Sequence, residues 1–197
     1  MTSIQVLSAP VAVDFDWGSH CECIVDIGGG KGHLLLDLLN VHPSIRHGVL
    51  VELPSVIEEA ETFIDPKFRS KVTLIKDSFF NEPTNTTNYC GNELNTCYVM
   101  RNILHDWNDR DSLRILSFLS ARMRSKKDKL VIVELIPEEF VNPDIPSTIA
   151  IDAIMLTITG QERTIGQFNR LFQQTGFDQM TVYPTRSIFK IGIARKN

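Results

Sequence analysis

Ile24-Val25-Asp26-Ile27-Gly28-Gly29-Gly30-Lys31-Gly32-His33-Leu34-Leu35-Leu36 decides how this chain is read. A short apolar run rich in β-branched residues ends in glycines, and an apolar-periodic segment, Leu34 to Val41, follows at once. That order is strand, tight turn, helix. Glycine takes positive φ without cost and lets a ligand come close to the main chain. The free N–H groups and positive end of the new helix face the same space. The turn therefore reads as a site for a nucleotide-type cofactor. A dinucleotide fingerprint spaced from Gly28 and Gly30 wants its third glycine at 33, where this chain has His33.

Glycines at 28, 30 and 32, with Asp26 two residues ahead, are more typical of S-adenosylmethionine sites than of NAD sites. Composition narrows the field. The chain has 197 residues, 43% of them hydrophobic, enough for one domain with a full core. A net charge of −4 argues against nucleic acid or an anionic membrane as the main partner. No apolar run approaches a membrane span, and no basic-then-apolar leader opens the chain, so a cytoplasmic protein is expected. Cysteines stand at 21, 23, 90 and 97. Cys21 and Cys23 are too close for a usual zinc pair, and no His/Cys group completes it. Free thiols in a reducing cytosol and no metal are the expectation.

Read in order, residues 1–22 form a lead-in segment without periodicity, with Phe15 and Trp17 as apolar anchors. Strands are expected at Cys23–Ile27, His47–Glu52, Lys71–Lys76, Thr96–Met100 and Leu130–Glu134. Helices are expected at Lys31–Val41, where Pro43 stops the helix, and from Pro54 to about Phe63. Asn108 to Asp111 carry N-cap chemistry, and Leu113, Leu116, Leu119 and Met123 have helical spacing. Two more helices are expected near 148–157 and 164–175, the second ended by Gly176. Met180–Tyr183 and Ile188–Ala194 close the chain as a strand pair. Strands alternating with helices mean an α/β fold with a mostly parallel sheet covered on both faces. Ligands of such sheets sit outside the carboxyl ends of the strands. Glu52, Asp77 and Glu134 each end an expected strand, and His105 lies just past the fourth.

At this point the chain is seen to resemble the catalytic domain of small-molecule O-methyltransferases of the caffeate, flavonoid and acetylserotonin type. The resemblance rests on Val25 to Gly32, Glu52-Leu53-Pro54, Lys76-Asp77-Ser78-Phe79-Phe80, Arg101-Asn102-Ile103-Leu104-His105-Asp106-Trp107, Val131 to Glu134, Asp152 to Leu156, Gly160 to Thr164, and Gly176-Phe177. These stretches occur in family order and cover nearly all of residues 15–194. Leu-His-Asp-Trp and Glu-Arg-Thr in one chain are specific; the glycine turn is not.

The resemblance implies a Rossmann-like, doubly wound sheet of seven strands, mostly parallel, with one antiparallel strand near the C-terminus. It implies S-adenosylmethionine as cofactor and a small hydroxylated aromatic acceptor, with residues 23–197 as the catalytic domain. Gly28 and Gly30 would face the methionine end, Glu52 the ribose, Asp77, with Ser78 and Phe79 beside the ring, the adenine, and Arg101 the cofactor carboxylate; Asp26 and Leu53 would also bind the cofactor. His105 would be the general base, flanked by Glu134 and Glu162, and Asp106 and Met155 would meet the acceptor. Full-length relatives of that type carry an N-terminal helical domain that dimerises. No counterpart is seen, so a second copy or a helical domain is the expected partner.

Each residue also has a plainer reading. A His after a strand is most often a loop residue, Asp106 can help start a helix, and Glu162-Arg163 can be a surface ion pair worth little. Trp107 is as suited to packing as to cofactor contact, and Lys31 and His33 read as exposed helix residues. If the catalytic reading holds, neutral His suits the role of base, and a carboxylate on its other nitrogen fixes the tautomer; Glu134 or Glu162 serves equally at this stage. Two alternatives stand beside methyl transfer: a nicotinamide-dependent oxidoreductase, and a non-catalytic cofactor-binding or interaction domain.

Overall fold

A computed structural model describes residues 9–81, 89–91, 93–124, 126–137 and 161–197. Seven strands form one sheet: β1 (Cys23–Ile27), β2 (His47–Glu52), β3 (Val72–Lys76), β4 (Thr96–Arg101), β5 (Lys129–Glu134), β6 (Thr181–Pro184) and β7 (Lys190–Arg195). Their order is β3-β2-β1-β4-β5-β7-β6. The first five pair in parallel, and β7 runs antiparallel to both β5 and β6. The expected seven-stranded sheet with one reversed strand is therefore present.

The helices are α1 (His33–Val41), α2 (Pro54–Phe63), α3 (Asp109–Arg122) and α4 (Ile165–Gln174). All five residues of β1 are buried, because both faces of the sheet are covered. Successive side chains of a strand point to opposite faces, so β1 feeds two cores. Ile24 packs with Leu34 and Leu38 of α1, Leu50 of β2 and Ile57 of α2. Val25 and Ile27 pack with Leu116 of α3 and Phe168 and Phe172 of α4. The lead-in belongs to the α1 side: residues 9–13 and Trp17–His20 are helical, Val11 and Phe15 are buried there, and buried Trp17 Nε1 donates to Val11 O at 2.9 Å.

Local chemistry sets the element ends. Gly32, at φ 85°, is the N-cap of α1, so the helix begins at His33 rather than at Lys31. Asn108 caps α3 by accepting from Asp111 N at 3.0 Å. Thr164 and Gln167 form a reciprocal capping box at α4. Thr175 ends α4, and Gly176 one residue on takes φ 82°, the left-handed step that stops a helix. β6 starts one residue later than its apolar run suggests, and β7 two residues later, because Thr185, Ser187 and Phe189 bond one another in the turn that precedes β7.

One expectation is overturned. Cys23 and Cys90 are joined in a disulfide, with Cα atoms 6.4 Å apart, and only Cys21 and Cys97 are free, both buried. The turn at Tyr89–Gly91 packs across the start of β1, and a sequence separation of 67 residues hides that neighbourhood from any local reading. The expected helix at 148–157 and most of the loop before it lie outside the described residues. Among the described residues, no helix is long and apolar enough to cross a membrane, and no group of three His, Cys, Asp or Glu could hold a metal ion.

Candidate active site

The sheet order reverses at β1 and β4, where chain connections leave in opposite directions and open a crevice at the carboxyl ends of the strands. The glycine turn after β1 forms its floor. Gly28 sits at φ 67° and Gly30 at φ 59°. Side chains at these positions would be strained, and one at Gly28 would also strike Ile103, 2.6 Å away. Around Gly30 nothing lies within 4 Å of where a Cβ would stand, so a ligand can reach its main chain.

A cleft of about 240 Å³ opens over this turn. Gly28 gives it backbone, Glu52 and Asp77 give carboxylates, and Phe79, Ile103 and Trp107 give apolar walls. Leu53, Ser78 and Asp106 also line it. Glu52 ends β2 and is held by two main-chain donors, Gly30 N at 3.3 Å and Leu53 N at 2.6 Å. Asp77 follows β3, and its Oδ1 accepts from Ser78 N at 2.8 Å and from Asn81 Nδ2 at 2.9 Å. Phe80 meets Trp107 edge-on at 4.6 Å. A cleft with carboxylates at strand ends, an open glycine main chain and flat apolar walls fits an adenosyl group with a charged tail.

Asp26 and Arg101 do not line this cleft. Asp26 is buried beneath the turn against Gly29 and Leu50. Burial pushes its pKa up to about 6, against the pull of the Arg101 charge. Arg101 ends β4, and its field reaches Asp26, His33 and Asp37. Lys31 is exposed, as expected, and pairs with Glu59, whereas half-buried His33 packs on Phe63 at 4.4 Å.

His105 sits in a single helical turn, Leu104–Asp106; its neighbour Asp106 lines the cleft and His105 itself does not. Its Nδ1 lies 3.2 Å from Glu162 Oε1, and its Nε2 lies 3.3 Å from Asp106 Oδ1. The two candidate carboxylates thus have separate tasks. Glu162 holds the ring, and Glu134 holds the backbone. Glu134 Oε1 accepts from three successive main-chain N–H groups, Ile103 at 3.1 Å, Leu104 at 2.7 Å and His105 at 3.3 Å. Glu134 is fully buried, and burial pushes its pKa up to about 7 although His105 and these donors oppose it. Burial would lower the pKa of His105, but the Glu162 bond and the charges of Glu134, Asp106 and Glu162 outweigh it and raise it.

Sequence reasoning overlooked Arg163. It is not a surface partner of Glu162; it is fully buried. Its Nη1 donates to Leu104 O at 2.6 Å, its Nη2 to Trp107 O at 2.7 Å, and its Nε to Asp109 Oδ1 at 3.1 Å. Gln161 N adds a bond to His105 O at 2.8 Å. Residues 161–163 therefore clasp the His105 turn from three directions. The adjacency of an acid and a base in Glu162-Arg163 suggested mutual pairing, and no periodicity marked either as buried. Met155 lies outside the described residues.

The O-methyltransferase domain family matches residues 1–178. The chain belongs to that family. Among curated relatives, the mitomycin biosynthesis 6-O-methyltransferase of Streptomyces lavendulae is 31% identical over 179 residues, 89% of this chain and 47% of that protein. The 8-amino-8-demethylriboflavin N,N-dimethyltransferase of Streptomyces davaonensis is 28% identical over 190 residues, 95% of this chain and 51% of that protein. The crystal structure of human N-acetylserotonin methyltransferase in complex with S-adenosylmethionine superposes with a TM-score of 0.82 at 22% identity, covering 98% of this chain and 53% of that one. The chain spans about half the length of the curated relatives it matches.

Proposed function

We propose that this chain transfers a methyl group from S-adenosylmethionine to a phenolic hydroxyl of a small aromatic molecule, with His105 as general base. The observation that carries the reading is the setting of His105: ring held by Glu162 at 3.2 Å, backbone held by Glu134, and a place in the turn whose Asp106 lines a cleft built on the glycine turn. Gly28 and Gly30 would bring main chain to the methionine end, with Asp26 beneath them and Arg101 supplying positive charge. Glu52, beside Leu53, would accept from the ribose hydroxyls, and Asp77 would accept from the adenine amine, with Ser78 and Phe79 against the ring. When bound, the sulfonium supplies an electrophilic methyl group.

The chain's own residues prepare the oxygen. Nδ1–H donated to Glu162 leaves the Nε2 lone pair as the accepting site, and Asp106, now 3.3 Å from Nε2, marks where an acceptor hydroxyl would compete. A phenol near pKa 10 is mostly protonated at neutral pH, so proton removal by Nε2 raises the share of nucleophile. Glu162 then stabilises the imidazolium. In-line placement of oxygen and methyl, about 3 Å apart, supplies the rest of the effect.

Transfer to nitrogen is a second reading, favoured by the name of the riboflavin-type relative. A neutral aryl amine attacks through its lone pair and needs no prior deprotonation. Labelled-methyl transfer from S-adenosylmethionine onto paired phenols and aryl amines, with wild type and His105→Ala, separates the two. Phenol turnover lost in the variant supports the proposal. Amine turnover that persists in the variant moves the assignment to nitrogen, and absence of transfer to either class overturns both readings.

A further inference from the structure

Asp77 is braced from behind by groups that the sheet-end pattern does not reveal. Its Oδ2 accepts from Tyr89 Oη at 3.0 Å and lies 3.5 Å from Arg122 Nη2. Arg122 is the last residue of α3, and its side chain is only 5% exposed. The guanidinium lies over the Phe118 ring, 3.6 Å from its centroid, faces the Tyr89 ring at 5.6 Å, and donates to Phe118 O at 3.3 Å. An arginine sandwiched between aromatic rings keeps one orientation, because the planar fork stacks where an ammonium would not. Burial raises the pKa of the Tyr89 hydroxyl, so that group stays a donor.

A carboxylate has about four acceptor positions. In Asp77, Ser78 N and Asn81 Nδ2 occupy Oδ1, and Tyr89 Oη and Arg122 face Oδ2. Three of these contacts are hydrogen bonds; the Arg122 contact is a longer-range ion pair. Asp77 also lines the cleft, so the carboxylate that these groups hold is open to a ligand there.

We propose that Arg122, with Tyr89, is a positioning residue for cofactor recognition: it fixes the orientation in which the Asp77 carboxylate meets the exocyclic amine of adenine. The inference rests on the adenine placement proposed above. Arg122 touches no ligand itself and acts through Asp77. It would set selectivity for a 6-amino purine over a 6-oxo purine, whose carbonyl would meet the carboxylate as acceptor against acceptor.

The test compares affinities for S-adenosylhomocysteine and S-inosylhomocysteine by calorimetry, alongside thermal melting. Arg122→Gln is expected to weaken S-adenosylhomocysteine about tenfold while leaving the inosyl analogue nearly unchanged, so that discrimination collapses, the size of one hydrogen bond to a charged group. Arg122→Lys, which keeps the charge, should recover part of the selectivity. Equal weakening of both analogues, or full discrimination retained in a folded Arg122→Gln, would overturn the role and leave Arg122 as a helix-end residue. If Arg122→Gln does not fold, Tyr89→Phe decides: it removes only the hydroxyl, and unchanged discrimination would count against the bracing. Asp77→Ala keeps this separate from the parent reading, because it removes the acceptor altogether, and discrimination that survives Asp77→Ala refutes the adenine placement itself.

Discussion

The proposed chemistry turns on His105, and the environment of this residue makes two claims testable. A positioned base contributes about a hundredfold to ten-thousandfold. His105→Ala should therefore lose phenol methylation by that factor while S-adenosylhomocysteine affinity holds within about twofold, since no ligand-facing cleft contact is lost. Wild-type turnover in that variant would make the base assignment wrong. The surrounding carboxylates raise the His105 pKa above its ordinary value. The base form accumulates only as pH rises through the raised pKa, so the ascending limb of the rate should fall above about pH 6.5. Glu162→Gln removes the largest favourable contribution and should shift that limb to lower pH. A pH–rate profile that does not move would mean Glu162 does not govern the imidazole. Asp77→Ala, by contrast, should weaken S-adenosylhomocysteine roughly tenfold to a hundredfold.

Between elements, the Cys23–Cys90 bridge is the link with a clear energetic consequence. It joins the start of β1 to the turn before β4 across a separation of 67 residues. Loop-closure entropy assigns a bridge of that span about 4 kcal/mol. Adding a thiol reductant, or replacing Cys90 by Ser, should lower the melting temperature by several degrees; identical melting with and without reductant would argue against the link. This bridge also marks the limit of what sequence reveals. The strands were legible because β1, β2, β4 and β5 are apolar runs ending in chemistry-bearing residues, and α3 because Asn108 and the Leu113–Leu116–Leu119 spacing announce it. The strand-end acids were legible for the same reason, since the sheet brings its carboxyl ends to one edge. Partners far apart in the chain were not: Cys23 with Cys90, Asp77 with Tyr89 and Arg122, and Arg163 with the Leu104 and Trp107 carbonyls. No local pattern encodes a contact made by a side chain across the sheet edge. The separate tasks of Glu134 and Glu162 were hidden likewise, because both stand beside His105 and only geometry says which one holds its ring.

Over the whole molecule, buried Glu134 ties stability to pH. Its folded-state pKa is raised from 4.5 to about 7, so the protonated carboxyl favours the folded state. That contribution is fully present below pH 4.5 and is lost as pH rises toward 7. It amounts to about 3 kcal/mol, at 1.36 kcal/mol per pKa unit. His105, also raised, loses its own contribution above its ordinary pKa, in the same direction. Glu134→Gln should flatten the denaturation free energy between pH 4.5 and 7, because an amide oxygen still accepts the three main-chain bonds without titrating. A variant whose pH dependence matches wild type would place the titration elsewhere.

The central claim, that the crevice between β1 and β4 holds S-adenosylmethionine for transfer at His105, meets its most direct test in calorimetric titration of the wild type and His105→Ala with S-adenosylhomocysteine and with NAD. Saturable one-to-one binding of S-adenosylhomocysteine by both proteins, with no heat from NAD, is the predicted result. Tight NAD binding, or no binding of S-adenosylhomocysteine by folded protein, would contradict it.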